Sequence, residues 1–173
     1  SEATRRLALD CGIPLADPGD VDRIDLTIDG ADEVDPDLNL IKGGGGALLR
    51  EKIVAAASEH LIIVVDASKP VERLGRFPLP VEVVRFGWQW VARAIESLGG
   101  SPVLRDGPQA PFLTDEGHYL LDCAFGVMTD PGRLAATLDA LPGLVEHGLF
   151  VGMADTVIVG RGEGTHLLQT PES

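Results

Sequence analysis

Residues 61–65 of this 173-residue chain read Leu-Ile-Ile-Val-Val and run directly into Asp66. An unbroken apolar run of that length, rich in β-branched residues, suits a parallel strand buried on both faces. A second apolar stretch, residues 24–28, ends at Asp29 and reads as another strand. Between them, four consecutive glycines at 43–46 open an amphipathic segment that predicts a helix over 47–60. Strand, helix, strand at this spacing is a βαβ unit, and it commits the chain to an α/β fold with a mostly parallel sheet. Ligands of open α/β sheets sit outside the carboxyl ends of the strands. Asp29 and Asp66 therefore mark the edge where a site belongs.

The rest of the chain is organised around that unit. Residues 2–11 have helical period, with Ala3, Leu7 and Cys11 on one stripe, Ser1 placed to cap the start and Gly12 the end. Residues 33–39 read as an acidic loop, and 40–41 as extended. Two prolines and a glycine in 75–80 suit a crossing between subdomains. Beyond it come a strand at 79–84, a helix at 87–98 with Trp88, Val91, Ile95 and Leu98 on one side, strands at 102–104 and 119–123, and a helix at 131–141. That succession is the split βαβ pattern of a ferredoxin-like α+β unit. Strands at 148–151 and 156–159 are expected to return to the first sheet. The division that follows is a Rossmann-like domain of residues 1–78 plus 148–173 and an inserted ferredoxin-like subdomain of 79–147.

Composition narrows the function classes. Apolar residues make up 45% and charged residues 24%, as in an ordinary globular protein. A net charge of −13 argues against a nucleic-acid partner, which needs a basic face. It leaves room for a small phosphorylated ligand, for which two or three local cations suffice. The two cysteines, Cys11 and Cys123, are far apart and read as buried thiols in a reducing cytoplasm. The four histidines show no metal-ligand spacing. No signal peptide or membrane-length apolar run stands in the sequence.

Four segments carry chemistry. Asp29-Gly30-Ala31-Asp32 places two carboxylates on a narrow turn after a strand, against the plainer reading of a solvated acidic turn continued by Glu33, Asp35 and Asp37. Those acids are not a calcium loop, because Leu40 and Gly46 stand where an EF-hand needs Gly and Glu. Lys42-Gly43-Gly44-Gly45-Gly46 sets a cation beside bare N–H groups at a helix start, the arrangement that receives an anion. It fits neither GxGxxG nor the P-loop. Glu51 lies one turn into the helix. With Leu49, Ile53 and Ala56 as the buried stripe, it would project to the opposite side, to solvent or to a cleft. Asp66-Ala67-Ser68-Lys69 ends the second strand and brings another cation to the same sheet edge. Trp88 and Trp90 read as packing on the second subdomain.

IDGADE, IKGGGGALLREKI and VDASKPVERLGRFPLPVEV, continued by LLDCAFG and LPGLVEHGLFVGMAD, closely resemble ribose-5-phosphate isomerase type A over essentially the whole chain. The resemblance implies a Rossmann-type domain carrying a ferredoxin-like lid, in a cytoplasmic homodimer or tetramer. It implies an aldose–ketose isomerase acting on pentose 5-phosphates, with no metal and no organic cofactor. On that family's pattern Glu51 is the proton-transferring base. Asp29, Gly30, Ala31 and Asp32 bind the sugar, with Asp29 implicated in ring opening. Lys42, Gly43, Gly44, Gly45 and Lys69 contact substrate. Family members also carry, ahead of this region, a helix, a strand and a Thr-Gly-Ser-Thr phosphate loop. These segments are not among the 173 residues, so the resemblance implies a start just after them.

Residues and resemblance together suggest a cis-enediolate route. Asp29 or Asp32 assists ring opening, Glu51 moves the proton and Lys42 steadies the oxyanion. Two other classes share such a fold: a sugar-phosphate sensor, which needs the anion cradle but no base, and a coenzyme A transferase-like enzyme, which needs a nucleophilic glutamate and a long groove.

Overall fold

The computed structural model describes residues 1–162 and 164–168. In chain order these form α1 (Glu2–Asp10), β1 (Thr27–Asp29), β2 (Glu33–Val34), β3 (Leu40–Ile41), α2 (Leu48–Ala56), β4 (Leu61–Asp66), β5 (Leu79–Val83), α3 (Trp88–Ser97), β6 (Ser101–Leu104), β7 (Tyr119–Ala124), α4 (Pro131–Asp139), β8 (Leu144–His147), β9 (Leu149–Phe150), β10 (Thr156–Arg161) and β11 (Gly164–Leu168). Residues 163 and 169–173 of the expected Rossmann-like segment lie outside the described residues.

The expected parallel sheet is present. Its order is β1-β4-β10-β11, with β4 parallel to both β1 and β10, and with β11 as an antiparallel edge. The second expected unit is also present. Strands β6-β7-β5-β8 form an antiparallel sheet, and the β-α-β-β-α-β succession is the ferredoxin-like one. The closing strand of that pattern, to which the sequence reading assigned no range, is β8. The expected 148–151 strand is in fact β9, which joins β2 and β3 in a small third sheet rather than returning to the parallel one.

That third sheet is the hinge of the architecture. Leu40 pairs with Phe150, and Ile41 with Leu149. Alternate side chains of a strand point to opposite faces. Leu40 and Phe150 accordingly enter the core under the parallel sheet, and Ile41 and Leu149 the core of the ferredoxin-like unit. Lys42 follows Ile41, so the wall between the two cores delivers it to the site.

Several expectations are corrected by burial. Strand β4 buries Leu61, Ile63 and Val65, but Val64 is exposed, and Ile28 on β1 is exposed with it. One face of the sheet is covered within the described residues, not both. Helix α1 has no buried residue, and Cys11 just beyond it is an exposed thiol, whereas Cys123 is buried and its thiol pushed up by that burial. α1 is held by polar contacts instead: Arg50 reaches Glu2, and the Glu2 N–H donates to Asp115. Trp88 packs against the ferredoxin-like core, but Trp90 is exposed and meets Phe86 edge-on at 6.3 Å.

The acidic loop is not a loop throughout. Glu33 begins β2 and is fully buried, its carboxylate accepting from the N–H groups of Gly75 at 2.8 Å and Phe77 at 2.6 Å. A carboxyl group that accepts from two backbone donors can be buried where one without partners could not. Asp35 is likewise folded into its own turn, accepting from the N–H groups of Asp37 and Asn39.

Candidate active site

The site assembles where three elements end: β1 supplies Asp29, β3 leads into Lys42, and the first turn of α2 supplies Glu51. Residues 29–32, 42–45 and Glu51 line one cavity of about 230 Å³. Its wall contains nine of the ten residues expected from sequence. The tenth, Lys69, lies elsewhere, in an adjoining cavity of about 180 Å³ with Ser68, Arg76 and Phe77, which Asp32 and Glu33 also line. A larger cavity of about 300 Å³, lined by Phe125, Met128 and Arg133, lies away from all of these groups.

Lys42 is the centre of the site. Its side chain is 4% exposed, and its Nζ donates to the Gly30 carbonyl at 2.6 Å. It stands 2.9 Å from Asp29 Oδ2 and 3.2 Å from Glu51 Oε2. It also lies 5.5 Å from the centroid of the buried Phe150 ring, while Lys52 Nζ lies 5.0 Å from the same centroid. An aromatic face within such a distance attracts an ammonium, and more so when the pair is desolvated. Asp29 also accepts from the Gly30 N–H at 2.7 Å. Its carboxylate is thereby fixed from two sides.

Glu51 does not face away from the buried stripe as the sequence suggested. The buried residues of α2 are Leu48 and Ala55, and Ile53 is 58% exposed. Leu48, Glu51 and Ala55 share a face at helical spacing, so the helix presents its acid inward together with its core residues. Glu51 Oε2 is buried and has no hydrogen-bond partner among the described residues, the Lys42 contact being an ion pair. Burial pushes the carboxyl above the usual glutamate range. Lys42 opposes the shift and Asp29 adds to it.

The glycine run is a structural requirement. Gly43 has φ +103°, and a Cβ there would come within 2.7 Å of Leu48. A Cβ on Gly44 would meet Asp32 at 2.7 Å, and indeed the Gly44 N–H donates to Asp32 Oδ2 at 2.8 Å. Gly45 has open space around it, and its N–H makes no hydrogen bond among the described residues. The cavity therefore offers a half-buried acid, a buried ammonium, a second acid pair and an unpaired N–H.

Near the site, Lys52 Nζ bonds Glu146 at 2.6 Å and the His147 carbonyl at 2.6 Å. Asp139, Glu146 and His147 converge closely enough to hold a cation, which the histidine spacing did not foretell. The Lys52 ammonium already supplies positive charge there. Burial and then Lys52 hold the His147 imidazole below its ordinary range. Asp66, at the end of β4, is an exposed turn residue whose carboxyl is held low by Ser68.

Fold and site together define an α/β protein with a ferredoxin-like unit beside a pocket suited to proton transfer on a small polar molecule. The chain belongs to the ribose 5-phosphate isomerase A (phosphoriboisomerase A) family, whose model matches residues 1–164. It is 56% identical over 172 residues to ribose-5-phosphate isomerase A of Thermomicrobium roseum, covering 98% of this chain and 73% of that protein. The crystal structure of ribose 5-phosphate isomerase A from Neisseria gonorrhoeae superposes with a TM-score of 0.93 at 38% identity, over 99% of this chain and 76% of that one. A D-ribose-5-phosphate isomerase in complex with phospho-erythronic acid gives 0.93 at 38% identity, over 98% and 75%.

Proposed function

We propose that this chain interconverts D-ribose 5-phosphate and D-ribulose 5-phosphate through a cis-enediolate, with Glu51 as the base. The observation that carries the reading is the half-buried Glu51 carboxyl, set beside Lys42 and lining one sugar-sized cavity with Asp29 and Asp32. Asp29 or Asp32 assists opening of the furanose ring. Glu51 then takes the C2 proton and returns it to C1, while the proton on O2 is exchanged for one on O1. Lys42 and the glycine N–H groups stabilise charge on the reacting oxygens. A positioned base contributes about 10²–10⁴-fold, and each oxyanion donor about 3 kcal/mol.

Gly30, Ala31, Gly43 and Gly44 shape the wall around the sugar. Lys69, across Asp32 in the adjoining cavity, contacts the far end of the substrate. The retained base distinguishes this reading from a non-catalytic sensor, and relatives named as isomerases at 50% identity and above favour it over a coenzyme A transferase. Residues 79–147 act as a lid subdomain on a catalytic domain of 1–78 plus 148–173, with the boundary running along the β3–β9 wall. Among the described residues no helix is long and apolar enough to cross a membrane. A cytoplasmic homo-oligomer, dimer or tetramer, is the setting this reading expects.

The test is formation of ribulose 5-phosphate from ribose 5-phosphate by the purified chain, with and without a chelator. Turnover that survives chelation supports the route. Turnover that vanishes with chelation, or no turnover at all, contradicts it.

A further inference from the structure

We propose, on the basis of the isomerase reading of this cavity, that Arg105 is a positioning residue that turns the Gly45 N–H toward the substrate. Arg105 follows β6 in the ferredoxin-like unit and touches no reacting group. Its Nε and Nη2 grip both oxygens of Asp122 on β7, at 3.0 and 2.5 Å. With the fork fixed in this way, Nη1 donates to the carbonyl oxygens of Gly43 and Gly44, each at 3.2 Å. The Arg105 side chain is 13% exposed, and its guanidinium carbon lies 5.5 Å from the Phe112 ring centroid.

A trans peptide points its C=O and its N–H in opposite directions. In the 43–44 peptide the carbonyl faces Arg105, and the N–H faces Asp32, which accepts it at 2.8 Å. In the 44–45 peptide the carbonyl again faces Arg105, so the Gly45 N–H faces away from Arg105 and finds no partner among the described residues. Gly45 lines the cavity. Glycine adopts either sign of φ readily. Left unheld, the 44–45 peptide could turn its carbonyl oxygen toward the cavity, where it would repel an oxyanion. Charge-assisted donors from a rigid fork oppose that flip. A lysine cannot replace them, because a single ammonium cannot hold a carboxylate by both oxygens and two carbonyls at once.

The experiment compares Arg105→Ala and Arg105→Lys with the unsubstituted chain, each with its folded fraction measured by circular dichroism. The readouts are kcat and KM for ribose 5-phosphate, the Kd for phospho-erythronic acid by calorimetry, and rescue by millimolar guanidinium. We expect kcat to fall about 10- to 100-fold in both variants with KM nearly unchanged, since an oxyanion donor acts chiefly on the transition state. Phospho-erythronic acid, whose carboxylate would stand in for the charged oxygens of the enediolate, should bind about 10-fold more weakly. Guanidinium should restore part of the Arg105→Ala loss and none of a Glu51→Gln loss. Unchanged kcat in either folded variant overturns the proposal, as does a loss that merely tracks the folded fraction without rescue. If the unsubstituted chain does not isomerise, the isomerase reading fails by itself. The Kd series then decides the role of Arg105, with equal affinities overturning it.

Discussion

Glu51 Oε2 lies 3.2 Å from Lys42 Nζ, yet has no hydrogen-bond partner among the described residues. The contact tempers the cost of burying the acid. Burial still dominates, and the carboxyl is held above its ordinary range. The burial that sets Glu51 beside Lys42 therefore also makes it a stronger base than an exposed glutamate.

The acid limb of the pH–rate profile should reflect this. In the role proposed for it Glu51 works as a base only when ionised, so kcat/KM should fall at a pH above the ordinary glutamate value of about 4.3 as acid is added. An acid limb at or below that value would contradict the raised carboxyl. Stability carries the opposite sign. A carboxyl raised on folding contributes stability below its unfolded pKa and loses it as pH rises through the folded one. Glu51→Gln should match the parent in acid and become the more stable of the two toward neutrality. Urea melts across that range check it, and a pH-independent difference would count against the shift.

Lys42→Met should destabilise the fold by about 3–5 kcal/mol at neutral pH, because it strands Asp29 and Glu51 facing each other in a largely buried site. The loss should shrink in acid as Glu51 takes a proton. Since Lys42 holds the Glu51 carboxyl down, its removal should move that titration higher still. Denaturant melts at two pH values test both statements, and a loss under about 1 kcal/mol would show that the ion pairs are not load-sharing.

Glu33→Gln tests a buried acid of the adjoining cavity wall to which no catalytic step is assigned. Its carboxylate caps the N–H groups of Gly75 and Phe77 at the entry to β5. An amide keeps one acceptor and sets a donor against the other N–H. We expect a loss of about 1.5–3 kcal/mol in urea melts, with kcat nearly unchanged. A neutral substitution would mean that those N–H groups find water.

Much of this arrangement was legible in the sequence because short-range chemistry dictates it. The run at 61–65 and the glycines before α2 specify a βαβ unit, and the acids fall at the strand ends where that unit places ligands. What was not legible depends on distant packing. Periodicity put Glu51 opposite the buried stripe because Ile53 counts as apolar, but it cannot say which apolar face meets a partner, and here Ile53 is exposed. Glu33 read as solvated because its two backbone donors lie more than 40 residues away. Phe150 behind Lys42 and Arg105 behind the glycines carry no local signal at all. Each is recognisable only once β9 and β6 are set against the loop. Gly46 hints at the contact, since only a residue without Cβ fits beneath Phe112, but the ring is far away in sequence.

The most direct test of the central claim is turnover by Glu51→Gln set beside its affinity for phospho-erythronic acid. A drop in kcat of at least about 10²-fold with binding largely kept is expected, because the substitution preserves the shape of the cavity and removes the proposed base. Turnover within a few-fold of the unsubstituted chain would contradict it.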